Sequence, residues 1–345
     1  MNDAPRIATL IASILVLLIA GSSSAQPWSS HRPDGHAPIG VMGDHTHGAG
    51  EMMLSYRYMY MPMAGVLDGT DSIAPASVVA ADGFGFMVTP TRMPMQMHML
   101  GAMWAPTNEL TLMGMVPFLQ MEMDHLTRTG TEFSTESAGI GDVRIVGLYT
   151  LARPDRQRLI VQFGASMPTG SIDEKDVTPA SASNEVRLPY PMQVGSGTFD
   201  LLPGVTYLGQ TNEWSWGAQA TATVRLGKND NEYRFGNEGQ VTAWGARRLS
   251  NAFGVSGRIL GSVRSDVVDA DPDLNPMMVP TAAAELQSGR RIDSGLGINA
   301  VVPSGQLHGL RVALELLVPL YQDVDGPQLG LDPHVIVGVQ YAFDL

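Results

Sequence analysis

Hydrophobic and polar positions alternate along most of this chain with a period of two. Between Pro333 and Leu345, the residues Val335, Val337, Val339, Tyr341, Phe343 and Leu345 fall on one side. His334, Gly338, Gln340, Ala342 and Asp344 fall on the other, and only Ile336 breaks the polar set. Successive side chains of a strand point to opposite faces, so this stretch predicts a strand with one apolar and one mixed face. A chain-terminal strand with aromatic residues on its apolar face suits the closing strand of an outer-membrane barrel, where that face meets lipid.

The same rhythm recurs upstream. It predicts strands at 51–61, 93–105, 109–121, 141–152, 158–167, 199–208, 213–226, 239–249, 253–263, 292–302 and 310–320, twelve in all with the last. Short connections at 106–108, 154–157, 209–212, 250–252 and 303–308 alternate with long ones on the opposite side. A soluble sandwich explains the alternation but not this asymmetry. The predicted fold is therefore all-β: a closed antiparallel transmembrane β-barrel of about 12 strands, with short periplasmic turns and long outer loops. The phase is ambiguous in the second and eighth strands. In the second, turning Met93, Met95, Met97, Met99 and Met103 inward sends Gln96 and His98 toward lipid.

Upstream of the strands the pattern changes twice. Residues 7–20 are almost wholly apolar, too short for a comfortable membrane span, and precede the small residues Ser23 and Ala25. This predicts a signal peptide over 1–25, cleaved after Ala25. Residues 26–50 are rich in His, Gly and Pro without periodicity, and are expected to form an irregular periplasmic tail. The barrel would occupy 51–345, in the outer membrane of a Gram-negative bacterium.

Composition narrows the function classes. The chain has no Cys, which excludes disulfides and thiolate metal sites. Its formal charge of −13 argues against nucleic acid, because phosphate binding needs a basic surface. No Gly-x-Ser-x-Gly elbow, Walker loop or His-Glu-x-x-His motif is present, so no enzyme activity is expected and no catalytic residue is assigned.

Two sets of residues could carry chemistry. Arg57, Asp142, Arg144, Arg225, Arg258, Asp293, Arg311 and Glu315 fall on non-lipid faces. Charges bordering a water-filled lumen can set selectivity, or can pair across it and close it. The second set is soft. Sixteen of the 21 Met lie between Met42 and Met123. Met59, Met61, Met95, Met97, Met99, Met113, Met115 and Met121 take the inward phase, and strand direction gathers several near the outer mouth with His125. Thioethers select soft ions such as Cu(I), but Met is also a flexible apolar filler, and filling is the favoured reading. His45 and His47, with Asp44 and Glu51 nearby, form a His-x-His group that could bind zinc or copper.

Four runs carry a family resemblance: Pro38 to His47 (PIGVMGDHTH), Gly50 to Met59 (GEMMLSYRYM), Leu100 to Pro106 (LGAMWAP) and Gly139 to Arg144 (GIGDVR). Together they resemble the outer-membrane transporter family named for the MetA pathway of phenol degradation, in its Met-rich subset. The resemblance implies a Gram-negative outer-membrane barrel. Hydrophobic or aromatic solutes are suggested by the resemblance alone. The expected function is an outer-membrane channel passing small solutes through a polar lumen. The alternative is a Met- and His-rich protein that binds or exports copper or another soft metal. The expected partners are outer-membrane lipid and a small solute; no resident cofactor is expected, and the oligomeric state is left open.

Overall fold

The computed structural model describes residues 28–344. The expected signal peptide and its cleavage site lie outside them. Twelve strands close into one antiparallel barrel. They are β1 (Glu51–Gly69), β2 (Val88–Trp104), β3 (Leu110–Thr127), β4 (Val143–Ala152), β5 (Gln157–Met167) and β6 (Gly204–Gln210), followed by β7 (Trp214–Leu226), β8 (Glu238–Arg248), β9 (Phe253–Arg264), β10 (Gly289–Val301), β11 (Arg311–Leu331) and β12 (His334–Asp344). Each strand pairs with its sequence neighbours, and β12 closes the ring on β1, from Glu51 opposite Asp344 to Tyr60 opposite Val335. Closure satisfies every ladder within the wall, which a strand exposed to hydrocarbon requires. Among the described residues no helix is long and apolar enough to cross a membrane.

The period-2 pattern sets the two faces. Leu100, Ile145, Phe163, Val241, Ile259, Leu296 and Leu314 are exposed on the outside. Trp104, Trp214, Phe253, Tyr341 and Phe343 mark the rim where the short turns lie. There the Arg247 guanidinium stands 5.3 Å from the Trp214 ring, as suits a cation beside an interfacial aromatic.

Both ambiguous phases are resolved. On β2, Met93, Met99 and Met103 are buried inside, while Gln96 and His98 do face outward. Their polar atoms are met from β1: Tyr56 Oη lies 2.8 Å from His98 Nδ1, and Tyr58 Oη donates to Gln96 Oε1 at 2.8 Å. On β8, Thr242, Trp244 and Ala246 point inward.

Three expectations change. The final outer connection is a tight turn, not a long loop. β11 rises along β10 to Val324, reverses near Gly326 (φ 78°), and returns with Leu331 opposite Met63 of β1. Gln322 holds this reversal from both sides: its Nε2 donates to the Leu331 carbonyl at 3.0 Å, and its Oε1 accepts from the Leu331 N–H at 2.8 Å. Second, the long outer connections are themselves structured. Glu132–Ile140 adds a strand against β3, Lys175–Val177 pairs Glu185–Arg187, and α1 (Pro75–Val79) folds over the rim.

The third change is the largest. The segment expected as a periplasmic tail is irregular, but it lies inside the barrel. It enters at the turn side, where Ser29 N donates to Gln210 Oε1 at 3.2 Å and Arg32 reaches the Thr211 carbonyl. It rises to Gly40 beside Glu315 and Arg258, then descends to Ala49, whose N–H donates to Asn108 Oδ1 at 2.9 Å. The amide of Val41 bonds the Pro38 carbonyl at 2.9 Å, and Gly43 takes φ 66°; these turns reverse the segment. Ile39 and Val41 are buried in the lumen, so the segment is a plug. Its apolar residues gain by leaving water, which its sequence shows only as isolated residues.

Gly338 of β12 lets the plug approach. A Cβ there would lie 2.7 Å from Ile39 Cδ1, tighter than packed carbons allow. Gly338→Val is expected to leave the barrel folded but unseat the plug. The check is limited proteolysis: cleavage within 28–50 should appear in the variant and not in the parent.

Candidate functional site

The lumen has two kinds of wall. On the β1–β4 side it is apolar. Met53, Met99, Met103, Met113 and Met115 pack with Val146, Leu148, Ile160 and Leu208 in one buried cluster. A second, nearer the outer mouth, joins Met93, Met121 and Met123 to Leu188, Met192 and Val194, with Met63 and Met95 against it. The methionines expected inward are inward, among aliphatic side chains. His125 follows Met121 and Met123 on the buried face of β3, and its ring stacks on Phe133 at 4.7 Å and 9° beside Leu188 at the outer mouth. The lumen is polar on one wall only, because Met dominates the inward positions of β2 and β3.

The other wall carries the charges, and most are engaged. Arg311 donates to three plug carbonyls: Pro33 at 3.0 Å, Ser30 at 3.0 Å and Arg32 at 2.8 Å. Arg57 Nε donates to the Ile39 carbonyl at 3.0 Å. Glu315 accepts from the Gly40 N–H at 2.8 Å and faces Arg258 Nε at 3.2 Å. Asp293 pairs with Arg291 at 2.9 Å. Higher up, Arg225 holds Asp200 at 2.5 Å, and Asp142 accepts from the Ser196 hydroxyl at 2.6 Å and from Gly170 N–H at 3.0 Å, fixing the outer loops. Arg144 alone of the eight has no side-chain hydrogen bond or ion pair to another described residue.

Sequence reading missed the uncharged partners of the plug. Gln219 Nε2 donates to the Met42 carbonyl at 2.9 Å, Ser215 to the Asp34 carbonyl, and Thr111 Oγ1 accepts from His47 N–H at 2.9 Å. The available signal was inward Gln, Ser and Thr on strands, which many water-filled lumens also show.

Two spaces bear on the route through the lumen. Above the plug is a cavity of ≈ 300 Å³, floored by Gly40, Val41 and Met42, walled on one side by Met59, Met97, Met99, Met113 and Met115 and on the other by polar side chains that include Arg144, Gln162, Glu238, Gln240 and Arg258. At the outer mouth lies a larger one of ≈ 540 Å³, among Met87, Phe133, Val186, Leu188, Leu274 and Met278. Leu188 belongs both to this pocket and to the outer Met cluster. Apolar side chains therefore line this wall from the mouth to the plug in two clusters, whose members Met95 and Met97 lie two residues apart on β2. In the loop region Tyr190 and Tyr233 pack edge to face at 4.9 Å, and burial raises both phenols above their ordinary range.

A family model described as "Putative MetA-pathway of phenol degradation" matches residues 91–277, more than half of the chain. Among solved structures, an outer membrane channel from Pseudomonas putida F1 aligns with a TM-score of 0.58 at 10% identity, over 88% of this chain and 100% of that one. The P. putida toluene transporter TodX aligns at 0.40 and 10% identity, over 93% and 95%. No curated protein matches the chain. At this identity the first likeness supports the fold: this is an outer-membrane barrel.

Replacing Arg311 with Ala would leave the Pro33 and Ser30 carbonyls unpaired, at about 1–3 kcal/mol for a buried group left without a partner, and would take one of two bonds from the Arg32 carbonyl, which keeps the Gly35 N–H. The expected result is release of the plug. Ion conductance in planar bilayers should rise over the parent, with the barrel still resistant to unfolding in detergent.

Proposed function

The chain belongs to the MetA-pathway of phenol degradation family, and from that premise we propose that it is an outer-membrane channel for small hydrophobic solutes, aromatic compounds among them. The observation that carries this reading is the apolar path: a loop pocket, the outer Met cluster, then the Met-walled cavity. A small hydrophobic ligand gains by burying its surface in such a pocket, at ~25 cal/mol per Å² of apolar area. Met suits a site that must accept varied shapes, because its unbranched side chain adapts. Arg144, charged and unengaged at the cavity wall, supplies a polar contact for a hydroxyl or carboxylate substituent.

Hydrophilic solutes meet a poor route. The charges that would border water in an open porin hold the plug or the loops instead. The reading therefore separates from a general porin by experiment. Vesicles containing the purified protein should take up phenol or toluene faster than protein-free vesicles, and should swell little in sugars. The triple change of Met97, Met99 and Met115 to Trp should bring aromatic uptake down to the protein-free level while the barrel stays folded. Uptake by the parent no faster than in empty vesicles would overturn the reading. A second expectation concerns Arg144: Arg144→Glu should shift the residual current from anion toward cation preference, read from the reversal potential in a salt gradient.

A further inference from the structure

The reversal of the plug brings together side chains that the solute path does not use. The turns at Pro38–Val41 and Gly43 fold residue 45 back beside residue 36. The His36 and His45 rings then lie 3.9 Å apart at 35°, and His47 lies 4.9 Å from His45. Asp44 completes the group. One ligand atom from each of His36, Asp44 and His45 falls within 4.8 Å of the others. All four are buried: His36 is 9% exposed, Asp44 4%, His45 1% and His47 5%.

Burying three imidazoles without partners is costly. Yet Nε2 of His45 and both ring nitrogens of His47 lie buried with no hydrogen-bond partner among the described residues. The Nδ1 atoms of His45 and His36 are supported, whereas that of His47 only lies near a carboxylate. His45 Nδ1 lies 2.8 Å from Asp44 Oδ1, His36 Nδ1 lies 3.2 Å from Gln340 Oε1 of β12, and His47 Nδ1 lies 3.0 Å from Glu51 Oε1. Asp44 is itself fixed by the Ala37 N–H at 2.8 Å. For His36, one nitrogen held by an amide oxygen with the other turned to the cluster is the arrangement found around bound metals.

We propose that the plug carries a metal site for one divalent transition ion of the zinc class, ligated by His36, Asp44 and His45, with the ion taking the place of the contact between His45 Nδ1 and Asp44 Oδ1. Two imidazole nitrogens and one carboxylate oxygen, with a fourth position left for water, fit zinc, and the absence of sulfur makes a soft monovalent ion the poorer match. The 4.8 Å spread is wider than the roughly 3.3 Å ligand separation in a tetrahedron with bonds of ~2.0–2.1 Å, so the rings draw in on binding. The ion would tie both arms of the plug to one point. The site is separate from the Met-walled cavity and does not depend on what the channel passes.

The test uses the full mature chain, folded in detergent, stripped with a chelator and freed of any histidine tag. Equilibrium dialysis against Zn²⁺ should give one ion per chain, and Co²⁺ should give the absorption of a tetrahedral nitrogen-ligated centre. The double variant His36→Gln, His45→Gln should lose both signals, and Asp44→Asn, which removes the carboxylate ligand, should weaken binding by more than about tenfold. His98→Ala, on the outer face, and the pair Met97→Leu, Met99→Leu should leave them intact. Heat-shifted electrophoretic mobility reports that each variant is folded. No saturable zinc binding by the parent would overturn the proposal, whatever the variants do. So would a site that survives in the folded double histidine variant, or one that disappears with the methionines.

Discussion

A wall immersed in hydrocarbon has no water to satisfy its backbone, and that constraint orders the rest of this structure. It forces the twelve strands to close, and closure leaves an interior that something must fill. Here part of the filling is the chain itself. The plug has no ladder of its own, so its buried carbonyls and amides need partners from the wall. Arg311 meets three carbonyls, Arg57 one, and Glu315 takes the Gly40 amide. These charges are buried because they bond the plug, and the plug stays because they are buried with nothing else to bond.

That exchange decides what the lumen can do. In an open porin, inward Arg and Glu project into water and sort ions. In this barrel they point at backbone, and Glu315 and Arg258 also neutralise each other. What remains for a solute is the opposite wall, where Met and aliphatic side chains pack from the outer loops down to the plug. The electrostatic and the apolar halves are thus complementary: one fixes the plug, and the other is left to face a solute.

Much of this was legible in the sequence, and the limit is physical. Strand positions, the inward charges and the short turns follow from period 2, because one side of each strand must suit lipid. The awkward phase of β2, with Gln96 and His98 outward, was also readable, but what tolerates it was not: the two partners are Tyr58 and Tyr56, on another strand. The plug was illegible for a deeper reason. Residues 28–50 have no periodicity, and an irregular segment looks the same in water or in a lumen. Its position is encoded in Arg311, Gln219 and Gly338, hundreds of residues away. The turn at Gly326 escaped similarly, since the polar stretch Tyr321–Asp325 before it reads as loop until its pairing with β10 and β1 is known.

The methionines show why residue type and residue role must be argued separately. A run of Met in one third of a chain invites a soft-metal reading, and their inward phase seems to strengthen it. Packing turns the argument around. Met99, Met113 and Met115 touch Val146, Leu148 and Ile160, and a thioether enclosed by aliphatic carbon behaves as one of them. Leu could fill a static wall as well. Met is the better choice beside a plug held by a limited set of hydrogen bonds, because the wall must repack whenever that segment shifts. The histidines make the opposite case. They are few, and their sequence context is an unpatterned Gly-rich stretch. Yet they are buried with free nitrogens, and burial of an unpaired polar atom is the observation that requires a chemical explanation.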